Sequence, residues 1–530
     1  MKIKMKYICL TALFAIATYG LKLADNKKKG ALKNQEVKNE LSKKTIKKEI
    51  NTLDTIFVDD ISALRNLPSP RNNNTKVVLR NYYKKGDLSF NITYSWDENL
   101  NNLDNNGNFI KTKKSQKGRF YYDLSDTVTV AQFGIFPGDK FITTRLNELA
   151  KLLASKNKVL SFDKGTYWIQ SDQQPPLNKS SNNLNKKGFI IPSNSKIYTH
   201  KNTFFQSIPT KSSNYSVICI HYAHNIKINS LNIIGDRGAH LGRTGEWGHG
   251  LFVVGSKSIQ IENLNTSNCW GDGVVFSGDG ELAGSSLKGQ NEDIQIGNLT
   301  SFKNRRQGLT ISNARNLSID NIDISDISGV APECGIDFEP DYNYDILENI
   351  VLKNVTTKNC ANSGIIFSLQ ALSKASKQIA VTILKYKSFG ERSFFIGGAL
   401  EEYIKGTIKI NDFKSYSSPL AAIEIRDYFN QPDLLFGNVQ IFNPNGKKRE
   451  DFYGSGILIY KDIDDQNNII DKVSPKIVFD NLLIEDNKAN RTMQHGIFIQ
   501  NRISPSENFK NITIKKRRIK GNKLSEYIGL

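Results

Sequence analysis

A glycine that returns before each of a series of short apolar runs constrains this chain more than any other feature. It reads WGHGLFVV, WGDGVVFS, RRQGLTIS, ECGIDFEP and NSGIIFSL, and later GSGILIY and QHGIFIQ. The glycines fall at Gly250, Gly273, Gly308, Gly335 and Gly364, then at Gly456 and Gly496, and Ser393 and Ala422 fill the same slot between them. A second series runs between the first: NIKINSLNI from Asn225, SIQIENLNT from Ser258, DIQIGNLTS from Asp293, NLSIDNIDI from Asn316, NIVLKNVTT from Asn349, KIVFDNLLI from Lys476 and KNITIKKRR from Lys510. Each of these alternates apolar and polar residues with period two, the mark of a strand with one face buried. Two or three short strands per repeat of about 25 residues, with almost no helical pattern between them, predict an all-β fold: a right-handed parallel β-helix of about ten coils. Coils stack at a strand spacing of about 4.8 Å, so residues in one slot of successive coils become neighbours.

The rest of the chain divides by composition. Residues 1 to 20, MKIKMKYICLTALFAIATYG, place three lysines before a short apolar stretch that ends in small residues. This is the pattern of a secretory signal, and it is too short for a membrane span. It implies a secreted or periplasmic protein. The formal net charge of +20 lies mostly in the tails. The signal carries +3, residues 21 to 50 carry ten lysines against four acids, and residues 510 to 530 carry seven bases against one acid, which leaves +5 for the body. Residues 21 to 50 read as a solvated Lys-rich linker. An acidic polysaccharide or oligosaccharide fits this charge as a partner, whereas nucleic acid does not, because no aromatic or basic stripe accompanies the strands.

Beyond Cys9 the cysteines are Cys219, Cys269, Cys334 and Cys360. Cys269 and Cys360 each sit four residues before a slot glycine, but their coils are three apart, about 14 Å at the stacking distance. That separation is too large for a disulfide, and the spacings lack the paired form of a zinc site. All four read as small buried core residues.

Residues 51 to 127, rich in Asn, Tyr and Lys, read as a small β-rich appendage, and residues 128 to 530 as the β-helix. The stretch VTVAQFGIFPGDKFITTRLNELAKLLASKNKVLSFDKGTYWI, Val128 to Ile169, combines a strand, a Gly/Pro turn, an amphipathic helix and a second strand. It resembles the N-terminal cap of pectate-lyase-like β-helix proteins, where a helix covers the open end of the core. The resemblance runs from Val128 to the C-terminus and implies the fold. That superfamily includes pectate lyases, polygalacturonases, epimerases, phage tailspikes and non-catalytic proteins, so the resemblance does not choose a reaction.

The slots define faces. One and three residues after the glycine, Leu251/Val253, Val274/Phe276, Leu309/Ile311, Ile336/Phe338 and Ile365/Phe367 fill the core. Two and four residues after it, Phe252/Val254, Val275/Ser277, Thr310/Ser312, Asp337/Glu339 and Ile366/Ser368 share the other face, so one coil is expected to project two carboxylates outward. His249, Asp272, Gln307 and Cys334 precede their glycines and stack in order. Arg305 and Arg306 enter the coil beside Asp337 and Glu339, and Glu333 enters the acidic coil itself. Trp247 and Trp270 occupy one slot on consecutive coils and offer faces to sugar rings. The loop GDRGAHLGRTGEWGHG adds Asp236, Arg237, His240, Arg243 and Glu246. Together these predict a carbohydrate site in a groove between about residues 236 and 341.

Two chemistries fit that set. In β-elimination from a uronate, Arg305, Arg306 or Arg237 neutralises the sugar carboxylate, with His249 or His240 as the base. Alternatively Asp272, Asp337 and Glu339 hold a Ca²⁺ that neutralises it. The leaving oxygen belongs either to the next sugar, as in a chain-cleaving lyase, or to a hydroxyl, as in a dehydratase. In hydrolysis, one of Asp272, Asp337 and Glu339 protonates the glycosidic oxygen while another activates water. The polygalacturonase pattern of paired aspartates before a later GHG is absent, since GHG at 248 to 250 precedes the acidic coil. The histidines and arginines beside the acids favour elimination over hydrolysis, and a non-catalytic glycan-binding β-helix is the third reading.

Overall fold

The computed structural model describes residues 55–71, 73, 75–172, 186–278, 289–460, 473–500 and 511–529. The signal and linker readings therefore lie outside the described residues. The chain divides into two compact units, Met1–Asp123 with Gln132–Gly134, and Leu124–Ala131 with Ile135–Leu530.

In the first unit, five strands form one sheet in the order Thr55–Val58, Lys76–Leu79, Ile92–Asp97, Arg119–Tyr121 and Phe109–Ile110. The first pair is parallel and the others are antiparallel. A helix, Ile61–Asn66, starts at Asp60, whose carboxylate accepts a hydrogen bond from the Ala63 amide at 2.8 Å and so satisfies one of the free N–H groups of the first turn.

The second unit is built from the two series read in the sequence. The glycine-led runs form one sheet of 12 strands and the alternating runs one of 15. Within each sheet the slots stay in register from strand to strand. Leu251, Val274, Leu309, Ile336, Ile365, Phe394, Ile423, Ile457 and Ile497 make one continuous column, and all of them are fully buried. The alternating series is fixed by its corners. Asn225, Ser258, Asp293, Asn316 and Asn349 each open a run with φ between 52° and 57°. That left-handed conformation bends the chain into the second sheet, and short polar side chains tolerate it best. Asn316 donates to Asp293 and Asn349 to Asn316, both at 2.8 Å, so the corners also bond to one another. A parallel ladder links Asn263, Asn298, Asn321 and Asn354 at 2.9 to 3.0 Å.

The slot glycine has a geometric cause. A Cβ at Gly335 would lie 2.5 Å from the Gly364 carbonyl oxygen, and one at Gly250 the same distance from the Gly273 oxygen. Coils at this corner approach more closely than any side chain allows. Where Ser393 and Ala422 occupy the slot, the backbone makes room for a small group, and the Ser393 hydroxyl bonds Ser415 at 2.7 Å.

The helix Thr143–Ser155 buries Leu146, Leu149, Ala150 and Leu153. Its Asn147 side chain donates to the Gly188 carbonyl at 3.0 Å and accepts from the Ile190 amide at 2.8 Å. Gly188 and Ile190 belong to Lys186–Ile190, the last strand of the 12-stranded sheet. One side-chain amide thus does for this edge strand what a neighbouring backbone would do.

Cys219, Cys269, Cys334 and Cys360 are free and buried, in keeping with their reading as core residues. Burial pushes the Cys219 thiol up to about 11, which leaves it unreactive at neutral pH.

The glycine column generates a test. Gly335→Ala forces a methyl group against backbone and lowers stability by about 2–3 kcal/mol, whereas Ala422→Gly costs about 1 kcal/mol. Chemical denaturation of the two variants checks the contrast, and equal losses contradict it.

Candidate active site

The polar cluster is carried by four neighbouring strands of the 12-stranded sheet, Trp247–Val254, Val274–Ser277, Gln307–Ile311 and Cys334–Phe338, with Asp337 on the last and Glu246, Asp272 and Glu339 at strand ends. Their register sets Thr310 directly beside Asp337 and Gln307 beside Cys334. Arg306, at the entry to its strand, joins the group. Its Nη1 lies 3.2 Å from Asp272 Oδ2, its Nη2 3.2 Å from Glu339 Oε2, and its Nε 3.5 Å from Glu246 Oε2. Nη1 also donates to Gln307 Oε1 at 2.7 Å. The Gln307 amide donates in turn to Asp337 Oδ2, and the Thr310 hydroxyl reaches both Gln307 and, at 3.0 Å, Asp272 Oδ2.

Depth separates these acids. Asp272 and Asp337 are each 1% exposed, while the Glu339 side chain is 37% exposed. The expectation that Asp337 projects outward is corrected here: its side chain is roofed over and bonded to Gln307, and only Glu339 reaches solvent. Burial raises the Asp337 carboxyl well above the usual range, the nearby Glu339 charge adds to the rise, and Arg306 opposes it. Burial also raises Asp272, again against Arg306. For Arg306, burial alone would weaken the charged form, but Asp272, Glu339 and Asp337 together hold the proton on more firmly than usual. Asp272 Oδ1, Asp337 Oδ1 and Arg306 Nε are buried without a hydrogen-bond partner. Arg306 Nε still has its 3.5 Å ion pair with Glu246, but two orphaned carboxyl oxygens in one cluster are uncommon in a finished core.

Both histidines proposed as bases are committed elsewhere. His249 is buried, and its Nδ1 accepts from the Asp272 amide at 3.4 Å, so that nitrogen carries no proton. Burial first, and then Arg306, lower its pKa to about 3. The ring lies flat against Phe252, 5.5 Å away. His240 has a fully covered side chain, with Nδ1 at 2.9 Å from Asp236 Oδ2. Asp236 also accepts from the Thr210 amide and the Tyr215 hydroxyl.

The remaining candidates divide in the same way. Trp270 is sandwiched between His240, 3.9 Å from ring to ring, and the Arg305 guanidinium at 3.8 Å, so its faces are closed to a sugar. Arg305 also donates to the carbonyls of Gly245 and Trp270. Arg237 donates to the carbonyls of Lys303 and Asn304 at 2.8 and 3.0 Å and ties its loop to a later coil. Glu333 accepts from the Gly329 amide within its own turn. Trp247 is 50% exposed and keeps an open face, and Glu246 remains half-exposed beside Arg306. Among the described residues no three of His, Cys, Asp and Glu are placed to hold a metal ion. In the set formed by Asp272, Asp337 and Glu339, the position of a cation is filled by the Arg306 guanidinium.

The segment after the acidic strand was missed. Asp345 is buried and pins it: one oxygen accepts from Asn313 at 2.6 Å and the other from the amides of Asp341 and Tyr342, each at 2.9 Å. Asp341 is exposed as a residue, while its carboxyl is drawn against Ser312, whose hydroxyl bonds it. Crowding by protein, then the charges of Asp345 and Glu339, push that carboxyl up to about 6. Tyr342 and Tyr344 are 44% and 39% exposed, with nearly parallel rings 5.1 Å apart. The signal was present in the sequence, since DFEPD spaces three carboxyls at period two and YNY follows.

No family model matches the chain. Two proteins of Bacillus subtilis strain 168 align with part of it. The uncharacterized protein YclG is 28% identical over 242 residues, 43% of this chain and 41% of that one. The SPbeta prophage-derived uncharacterized protein YorA is 29% identical over 235 residues, 42% and 39% of the two chains. The chain thus spans about two fifths of the length of the curated relatives it matches. Among solved structures, the A-module of mannuronan C-5 epimerase AlgE6 from Azotobacter vinelandii superposes with a TM-score of 0.53 at 11% identity, over 76% of this chain and 98% of that one. This chain has the pectate-lyase-like right-handed β-helix fold. A tailspike of the Acinetobacter baumannii bacteriophage Fri1, a capsular polysaccharide depolymerase, aligns with a TM-score of 0.48 at 13% identity, over 89% and 75% of the chains.

In this β-helix, His249 stays neutral well below physiological pH. Its imidazole NMR signals are expected to hold constant from pH 5 to pH 8 in histidine-labelled protein, and a titration midpoint inside that range contradicts the buried neutral state.

Proposed function

We propose that the chain is an exported carbohydrate-active enzyme that cleaves a polysaccharide by hydrolysis, with Glu339 and Asp341 as its acid–base pair. The observation that carries this reading is the pair of accessible carboxyls on one short segment, held in different surroundings. Glu339 lies 3.2 Å from the Arg306 guanidinium and is the group assigned to activate water. Asp341 is pushed up to about 6 and keeps a proton to donate to a leaving oxygen in mildly acidic solution. The buried Asp337 and Asp272 act as positioning residues that hold Gln307 and Arg306 from below. The exposed pair Tyr342 and Tyr344 and the open face of Trp247 suit sugar rings. A polysaccharide substrate is also in keeping with the mannuronan named for the epimerase of similar fold.

β-Elimination on a uronate is the second reading, and Arg306 is the observation that favours it. If a sugar carboxylate displaces Glu339, the guanidinium neutralises it and Glu339 is freed as a base. Against this, Arg306 already faces three acidic side chains, and the side chains of His249 and His240 are covered and do not reach the surface of the groove. The exported location rests on the signal pattern alone.

A panel of neutral and uronate-containing polysaccharides separates the readings when reducing ends and ultraviolet absorbance are recorded together. New reducing ends without a chromophore are expected, and a chromophore moves the assignment to a lyase. Glu339→Gln and Asp341→Asn should each lower kcat by about 10²–10⁴. In the wild type the rate should fall as pH rises through about 6, where Asp341 loses its proton. Asp341→Asn removes that limb, and an unchanged pH profile in this variant would exclude Asp341 as the acid.

A further inference from the structure

The other sheet carries a feature that the catalytic reading does not use. Five consecutive strands of the 15-stranded sheet, Ile379–Phe389, Gly406–Tyr416, Asp433–Phe442, Ile477–Glu485 and Ile512–Lys520, line a groove of about 610 Å³. Six lysines and arginines and one acid, Asp412, occur in that lining, and one of the six, Arg518, lies 4.0 Å from Glu485 on the neighbouring strand. The register arranges them in two columns. Lys387, Lys414, Gln440, Leu483 and Arg518 align on successive strands, and so do Lys385, Asp412, Asn438, Asn481 and Lys516. Between the columns, Tyr386, Phe413, Val439 and Leu482 turn inward and are buried, which directs both columns outward.

Elsewhere this sheet matches charge across strands. Lys257 meets Glu292 at 2.8 Å, Lys353 meets Asp320 at 2.6 Å, and Lys515 meets Asp480 at 2.7 Å. Lys387 instead stacks on Lys414, one rung of about 4.8 Å away, and among the described residues neither has an acid partner. Like charges in adjacent rungs repel, and a bound anion removes that repulsion. The amides of Asn438, Gln440 and Asn481 alternate with the cations and suit hydroxyl groups. The aromatic ring in the lining, Tyr386, is buried, and the half-buried rings of Phe389, Tyr416 and Phe442 stack on one another beside the lysine column, outside the lining. The expectation that no aromatic or basic stripe accompanies the strands is corrected by these columns, and an oligonucleotide is therefore one of the ligands tested.

We propose that this groove is a second polysaccharide site, one that holds an anionic chain bearing carboxylate or sulfate groups without cleaving it. It lies on a different sheet from Glu339, so its occupancy does not depend on the chemistry assigned there.

Full-length Glu339→Gln protein, chosen for its slowed turnover, is titrated with polygalacturonate, dextran sulfate, neutral dextran and a single-stranded oligonucleotide at low and high salt. Binding of at least one anionic polysaccharide, weakened by salt and at least tenfold weaker with Lys387→Gln and Lys414→Gln added, supports the proposal. Comparing the two polymers tells carboxylate from sulfate. An unchanged thermal midpoint in the added variant shows that these exposed lysines were not needed for folding. Three outcomes overturn the proposal: no binding to either anionic polysaccharide, equal binding after the lysine substitutions, or tighter binding of the oligonucleotide than of both.

Discussion

The closeness of one coil to the next at the slot glycine sets every other spacing in the second unit. With the Gly364 carbonyl 2.5 Å from where a Gly335 Cβ would stand, these two coils pack too closely for a side chain at Gly335. That approach keeps the coils in register and aligns the apolar columns. It also brings residues 23 to 35 apart in sequence, such as His249, Asp272 and Gln307, into one cluster. Hydrophobic burial stabilises the stack, but the glycine column determines which residues meet.

The polar cluster exists against a cost. Two carboxyls almost completely removed from water, with unpartnered oxygens, would destabilise an ordinary core. Here they are offset by Arg306, whose guanidinium is shared among Asp272, Glu339 and Glu246, and by a shift of the deeper acids toward the neutral form that burial causes. The result is layered: buried carboxyls below, an arginine between, and accessible carboxyls above. Proton transfer to and from a substrate belongs to the upper layer, where Glu339 and Asp341 differ in their surroundings.

How much of this was legible in the sequence follows from range. Period-two alternation and the recurring glycine are local patterns, so the strands, the buried columns and the free cysteines could be read directly. The acidic coil could be found too, because Asp337 and Glu339 belong to one of those runs. What could not be read was set by side-chain reach between coils. Nothing local says that Arg305 folds over Trp270 while Arg306 turns to the acids, or that His240 caps Asp236 and leaves the groove. Outwardness was also overread at Asp337: the rule that alternate residues face away from the core holds, yet the outer face is itself covered there. Asp341 lies past the strand end at Phe338, where strand alternation no longer says which way a side chain points.

The central claim is that sugar binds over the accessible carboxyls of the 12-stranded sheet. A crystal structure of Glu339→Gln protein soaked with oligosaccharides from any polysaccharide it degrades tests it most directly. The account predicts a glycosidic oxygen within hydrogen-bond reach of Asp341 and a ring against Tyr342 or Trp247. Sugar bound only elsewhere on the chain, with residues 339 to 344 untouched, would contradict it.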